Sequence, residues 1–358
     1  MLKTLTEEWR LYWLPSLEFN LSKSVFIVIG DKKFREKTEE KLEEMPLLLC
    51  GKVMKRAENY PYLGQVVSEE GIAHSVLLMI NKRFGIAYRA IFEIKAVIED
   101  TRSLVPGGFF TAITIWNMAV IPALLNSAEC WLEIPKSAME KLNSLQETFY
   151  QVLLNSPRTT PKPGLYWFTG GMLLSNIIMV KKLLFLHHLI HLPEHSLALE
   201  VLEIQKQMEI PSLWMEGLQF LRELDISIEE MHELSKQQFK KRVHSAAKER
   251  NQRDLLKLME RYKKISSAQL SEENWGIKSY FREMNLTKAR VMFALDTKML
   301  KTVKSHYPSD RKNEEDMWEC HHCSRIDSIQ HLLRCPYFEE IRAGKILHSN
   351  KEDIVRCI

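Results

Sequence analysis

Residues 60–84 read YPYLGQVVSEEGIAHSVLLMINKRF. In this stretch the chain changes from strand to helix. Tyr62 to Ser68 carries aromatic and β-branched residues, which predicts a strand over 62–68. From Ile72 onward apolar residues recur at helical spacing, which predicts a helix over 73–103. Toward the N-terminus, the short β-branched run 24–29 and the segment 47–54 are two more strand candidates. They are separated by the charged stretch Asp31 to Met45, a helix or an exposed loop; residues 2–13 are helix-compatible. Toward the C-terminus helices are expected at 110–127, 136–155, 173–191, 196–208 and 229–264. The stretch SPRTTPKPG at 156–164, with three prolines and no apolar residue, reads as a linker. The fold class expected is mainly α with a small N-terminal antiparallel β element (α+β).

The 358 residues are 45% hydrophobic and 27% charged, a globular composition that excludes intrinsic disorder. Six cysteines, three of them within sixteen residues, are not spaced as a secreted disulfide framework and suit a reducing compartment. The first residues show no signal peptide, and no run of roughly 18 uncharged apolar residues exists, so no membrane span is expected. Phe109 to Cys130 comes closest, but Asn117, Pro122, Asn126 and Glu129 interrupt it and it reads as buried helix. An intracellular protein, nuclear or cytoplasmic, is expected. The net charge of +4 is small, but it is concentrated. Between Lys236 and Lys264 eleven Lys/Arg stand against three acids, a surplus of eight in one helix. Such a surplus suits a phosphate backbone, with Lys240, Lys241, Arg242, Lys248 and Arg253 as the candidate contacts; the plainer reading is a solvated face.

The strongest local signal is Cys320-x2-Cys323-x7-His331-x3-Cys335. Thiolates and an imidazole are the ligands zinc prefers, and four of them close a tetrahedral structural site. The two-residue gap aims both sulfurs of one turn at a single ion, and the three-residue gap puts His331 and Cys335 on one side of a helical turn. With no position left for water, the expected Zn2+ is structural and no catalytic residue is assigned. The alternative is four residues gathered by chance in a helical hairpin. His321 and His322, inside the same turn, are competing ligands or surface residues. His187 and His191, one helical turn apart, lack a third ligand motif and read as core or surface histidines.

The wording around these ligands is specific. Trp318-Glu319-Cys320-x2-Cys323, then Asp327-Ser328-x2-His331-Leu332-Leu333-x-Cys335-Pro336-Tyr337 and Arg342, resembles the C-terminal zinc knuckle of non-LTR (LINE-like) retrotransposon reverse transcriptases. Ala289-Arg290-Val291-x-Phe293-Ala294-Leu295-x-Thr297-x-Met299-Leu300 resembles the helix that precedes it there. At the other end, Leu17-Glu18-Phe19-Asn20-x-Ser22-Lys23-Ser24 resembles the palm segment after the catalytic aspartates. Tyr62-Leu63-Gly64, followed by Gly71, resembles the primer-grip hairpin. Residues 74–155, with Trp116, Leu124 and Leu125, resemble the helical thumb, and 157–200, with Lys181, Lys182 and Leu183, the segment beyond it. Where the family often has Glu-Thr-Gly, this chain has Phe168-Thr169-Gly170-Gly171.

The resemblance implies a partial palm with a primer-grip-like hairpin at 1–70, a thumb-like helical region at 71–155, a helical connector at 156–305 and a zinc knuckle with tail at 306–358. It implies RNA and/or DNA as partners and no small-molecule substrate. Lys23 would lie near template or nucleotide, with a solvated strand-end lysine as the equal alternative; Tyr62 and Gly64 would form the primer grip. Polymerases of this kind hold two Mg2+ on aspartates. The expected aspartate pair would lie just before Met1, and no adjacent Asp-Asp occurs in this sequence. Mg2+ therefore belongs to a full-length parent enzyme, and this chain is expected not to polymerise alone. The other readings are a domesticated zinc-containing helical adaptor that binds nucleic acid or protein, and a non-functional product of a decayed element.

Overall fold

The computed structural model describes residues 20, 23–49, 51–62, 64–102, 106–208, 211–260, 275–297, 323 and 335–336. The expected helix at 2–13, the ligands Cys320 and His331, and the cations Arg261, Lys263 and Lys264 lie outside them. The described chain is mainly helical with a few short strands. It packs as two compact units of interleaved segments. One takes Met1–Tyr88, Ile121–Asn143 and Leu174–Ala246; the other takes Arg89–Val120, Ser144–Leu173 and Ala247–Ile358.

The strands lie in the first unit. β1 (Val25–Phe26) is shorter than the run 24–29 that suggested it. Helix α1 (Lys32–Glu44) follows, started by Asp31, whose carboxylate accepts the Phe34 N–H at 2.7 Å. The expected single strand 47–54 is a hairpin, β2 (Leu48–Leu49) against β3 (Lys52–Val53). The chain reverses at Gly51, whose φ of +76° a side chain would oppose. β4 (Lys55–Arg56) then pairs with β1 in parallel. The β element is therefore not wholly antiparallel. A parallel pair needs a crossover, and α1 supplies one. Glu69 ties these pieces together, accepting from Arg35 at 2.6 Å and Arg56 at 2.7 Å. β5 (Asn59–Tyr62) and β6 (Gln65–Ser68) form an antiparallel hairpin in which Tyr62 faces Gln65, and Gly64 takes φ +80° in the turn.

Helix α2 (Ile72–Arg102) buries Ile80, Ala87, Ile91, Ile94 and Ile98, a seven-residue recurrence that explains its length. α3 (Gly108–Ile115) passes through one π-helical turn (Trp116–Val120) into α4 (Ile121–Leu124), and a 3-10 turn follows at Ala128–Cys130. α5 (Lys136–Leu154) comes next. The stretch 156–164 is not a free linker. α6 (Lys162–Thr169) starts inside it, with Pro161 at the N-cap and Pro163 in the first turn, and Pro163 to Thr169 are buried. Proline fits a helix start because the amide it lacks has no partner there, so the same prolines that break a helix begin this one.

In the first unit the central helix is α7 (Leu174–Ile190), buried at Ile178, Met179, Leu183 and Leu186. α8 (Leu197–Gln207) and α9 (Leu213–Glu223) pack on it. Gly217 permits the α7–α9 approach, since a Cβ there would meet Leu186 Cδ2 at 2.3 Å. α10 (Ile228–Glu233) opens with a full capping box between Ser227 and Glu230. The expected helix 229–264 breaks after α10 and restarts as α11 (Lys236–Met259).

The second unit has an aromatic core. Trp116 stacks on Phe149 at 4.2 Å, Tyr150 meets Tyr166 edge-on, and Phe109 stacks on Phe281 at 3.9 Å. Phe281 lies in α12 (Tyr280–Glu283), and α13 (Leu286–Asp296) follows. Burial pushes the Tyr150 phenol up to about 12. The glycines Gly170 and Gly171 each have a packing reason. Gly170 sits at φ +67°, and a Cβ there would lie 2.9 Å from the Ile277 nitrogen, beside the bridge between Thr169 and Ile277. A Cβ on Gly171 would strike the Tyr150 hydroxyl at 2.3 Å. Among the described residues no single helix is long and apolar enough to cross a membrane.

Candidate nucleic-acid interface and metal centre

The hairpin β5–β6 is held at its turn by one side chain. The Arg83 guanidinium donates to the carbonyls of Gly64 at 2.7 Å, Asn126 at 2.5 Å and Leu124 at 3.3 Å. Arg83 also lies over the Trp131 ring at 5.8 Å, and burial lowers its pKa from the usual value. At the other end of β5 the Tyr60 hydroxyl donates to the Lys23 carbonyl at 2.8 Å. Tyr60 and Tyr62 are two residues apart on one strand and so share a face. Lys23, Tyr62 and Gly64 are thus brought to one region of the first unit, and Lys23 and Tyr62 are exposed. Gly64 is required by its φ rather than by crowding, since the nearest atom to an added Cβ is Asn126 Nδ2 at 3.6 Å. Sequence reasoning missed Arg83. It is one arginine on a long helix, and its three acceptors are distant in sequence.

The basic helix is less uniform than its composition. Lys240, Lys241, Lys248 and Arg253 are exposed. Arg242 is half-buried, and its Nε donates to Glu230 at 3.1 Å and its Nη2 to the Asp225 carbonyl at 2.7 Å. Asp225 has φ +54°, so Arg242 braces a strained turn. Lys248 lies 5.0 Å over the Trp275 ring. At 100° per residue, Arg253 is about 140° round the helix from both Lys240 and Lys248. The buried stripe shifts as well, from Phe239, Val243 and Ala247 to Asn251, Leu255 and Met259. The positive charge therefore occupies two faces.

Lys181 and Lys182, adjacent on α7, are both ion-paired: Lys181 with Glu129 at 3.1 Å, and the buried Lys182 with Glu216. The histidine pair is occupied by backbone. His187 stacks on Phe239 at 4.5 Å and its Nε2 faces the Leu234 carbonyl at 3.0 Å; His191 faces the His187 and His232 carbonyls.

In the tail, Cys323 and Cys335 bring their sulfurs to 3.7 Å, with Cys335 buried. A disulfide needs about 2.05 Å. Two thiolates on one tetrahedral ion with metal–sulfur bonds of about 2.3 Å are roughly 3.8 Å apart. The pair thus has the separation of two ligands to a shared zinc, and the donor set fits that metal. Among the described residues no group of three or more His, Cys, Asp or Glu is placed to hold a metal, Cys320 and His331 being outside them. Cys130 is a free thiol whose pKa is raised by burial and by Glu129, which makes it a poor nucleophile. Comparison with protein-family models, with curated proteins and with solved structures gives no match.

Proposed function

We propose that this chain is a nucleic-acid-binding part of a non-LTR retrotransposon reverse transcriptase, closed at its tail by a structural zinc and without polymerase chemistry of its own. The supporting observation is the 3.7 Å approach of the Cys323 and Cys335 sulfurs inside the pattern W-x-C-x2-C…H-L-L-x-C-P. Cys320, Cys323, His331 and Cys335 are the residues that would hold the ion. A bound zinc would cross-link the segment that carries these four residues. The Arg83-braced hairpin presents Tyr62 in a fixed place, where its ring meets a sugar or a base. Lys240, Lys241, Lys248 and Arg253 supply charge for phosphates. Arg242 is removed from that set by its partners and acts as a brace.

The test is a salt titration of the purified chain with a short RNA hairpin and with a DNA of the same sequence. Each phosphate neutralised on a duplex contributes about 0.9 to the slope of log affinity against log salt. The expected result is a steep fall in affinity with salt; flat affinity, or no binding at low salt, contradicts the reading. No primer extension is expected with Mg2+ or Mn2+.

A further inference from the structure

On the nucleic-acid reading above, we infer that His244 is a further phosphate contact on α11, made only as an imidazolium, so that binding takes up a proton. Gln237, Lys240, Lys241 and His244 are exposed and lie in the first unit. His244 stands three residues after Lys241 and four after Lys240; Gln237 stands three before Lys240 and four before Lys241. Residues at these spacings are neighbours on a helix surface. At 100° per residue the four span about 100° of helix, turned away from the buried Phe239, Val243 and Ala246. Among the described residues neither lysine nor His244 forms an ion pair. The carboxylate of Glu230 and the carbonyl of Asp225 meet α11 at Arg242, which lies about 160° round the helix from His244. The four side chains therefore gather hydrogen-bond donors around one gap with no anion facing it.

In the free chain that imidazole is neutral at neutral pH. Partial burial of the ring, then the charge of Lys240, hold its pKa below the usual 6.5. A phosphate laid over the gap reverses the balance. A phosphodiester is an anion and an acceptor only, and an imidazolium donates from both ring nitrogens. An opposite charge within about 4–6 Å raises the pKa of a histidine. Affinity is then constant above the pKa of the complex. It rises as pH falls through that value and levels off below the pKa of the free chain.

The test is fluorescence anisotropy of a short labelled RNA hairpin with the full chain, from about pH 8 to about pH 5.5, with the fold followed by circular dichroism. Affinity should rise about tenfold on acidification, one unit of pKa shift being a factor of ten. The salt slope should steepen by about 0.9 as one more phosphate is neutralised. His244→Gln should lose most of the rise, and His244→Arg, charged throughout, should bind at about pH 8 as tightly as the unaltered chain does in acid. Calorimetry near about pH 6.5 in two buffers of different ionisation enthalpy should show proton uptake on binding that His244→Gln reduces, which separates His244 from the other histidines. An affinity independent of pH, or the same rise in His244→Gln, would overturn the inference and leave salt-dependent binding standing. Absence of RNA binding at every pH would overturn both.

Discussion

Arg83 has the largest structural role that the sequence does not announce. Its guanidinium satisfies three carbonyls from two separate turns, and a hydrogen bond to a charged group contributes about 1.5–3 kcal/mol net where buried, less where solvent reaches it. Arg83→Ala should lower stability by about 2 kcal/mol in urea denaturation, and Arg83→Lys should recover only part of it because an ammonium cannot fork to separate acceptors. Lys182 tests the converse. Removing only its partner, by Glu216→Ala, strands a buried ammonium and should cost about 3 kcal/mol, whereas Lys182→Met with Glu216→Gln should regain most of that. His187 sets a pH dependence. Burial holds its pKa below the usual 6.5 against the upward pull of the Leu234 backbone bond, with the neighbouring imidazoles adding to the downward shift, so the unfolded chain protonates first. Stability is then complete above about pH 6.5 and falls as pH drops through the folded value. His244 shifts the same way through burial and Lys240, so His187→Gln should flatten the decline in Tm below about pH 6.5 only in part. Glu230 is held down by the Ser227 amide and Arg242, so its contribution is present above the ordinary carboxylate pKa and is lost as pH falls from there through the lower folded value.

At the scale of elements, the long helices were legible because their apolar periodicity is local: α2, α5, α7 and α8 lie within a residue or two of their expected bounds. Punctuation was less legible. Gly51 makes a hairpin of 47–54, and Pro161 with Pro163 starts a helix where three prolines suggested a linker, because proline and glycine mark both ends of elements. The basic helix shows what composition conceals. The helix Lys236–Met259 carries eight Lys/Arg against Glu249 and Asp254, a surplus of six rather than the eight counted over 236–264, and charge counting does not show that Arg242 is taken by Glu230 and the Asp225 carbonyl or that Arg253 lies on another face. Binding should divide accordingly. Lys240→Glu with Lys241→Glu should weaken RNA binding about tenfold and reduce the salt slope by about two. Arg242→Ala should lower Tm and leave the salt slope unchanged. Equal effects of the two variants on the slope would mean that α11 meets nucleic acid through its brace as well.

For the whole molecule, the mainly helical class follows from the sequence beyond Ile72. The two interleaved units do not, because they depend on which distant helices pack together. Nor does the pairing of strands across α1 follow from local pattern. The candidate metal site was the reverse case. Its four candidate residues are close in sequence and chemically distinctive, so spacing alone suggests it, and among the described residues two of the sulfurs approach to 3.7 Å. Cys335→Ser should remove the metal and loosen the tail while the aromatic core around Trp116 and Phe149 keeps its melting transition. The most direct measurement is the metal content of protein purified without chelator, joined to X-ray absorption at the zinc edge. One zinc per chain with three sulfurs and one nitrogen is the predicted result; metal-free protein, or zinc bound without those sulfurs, would contradict it.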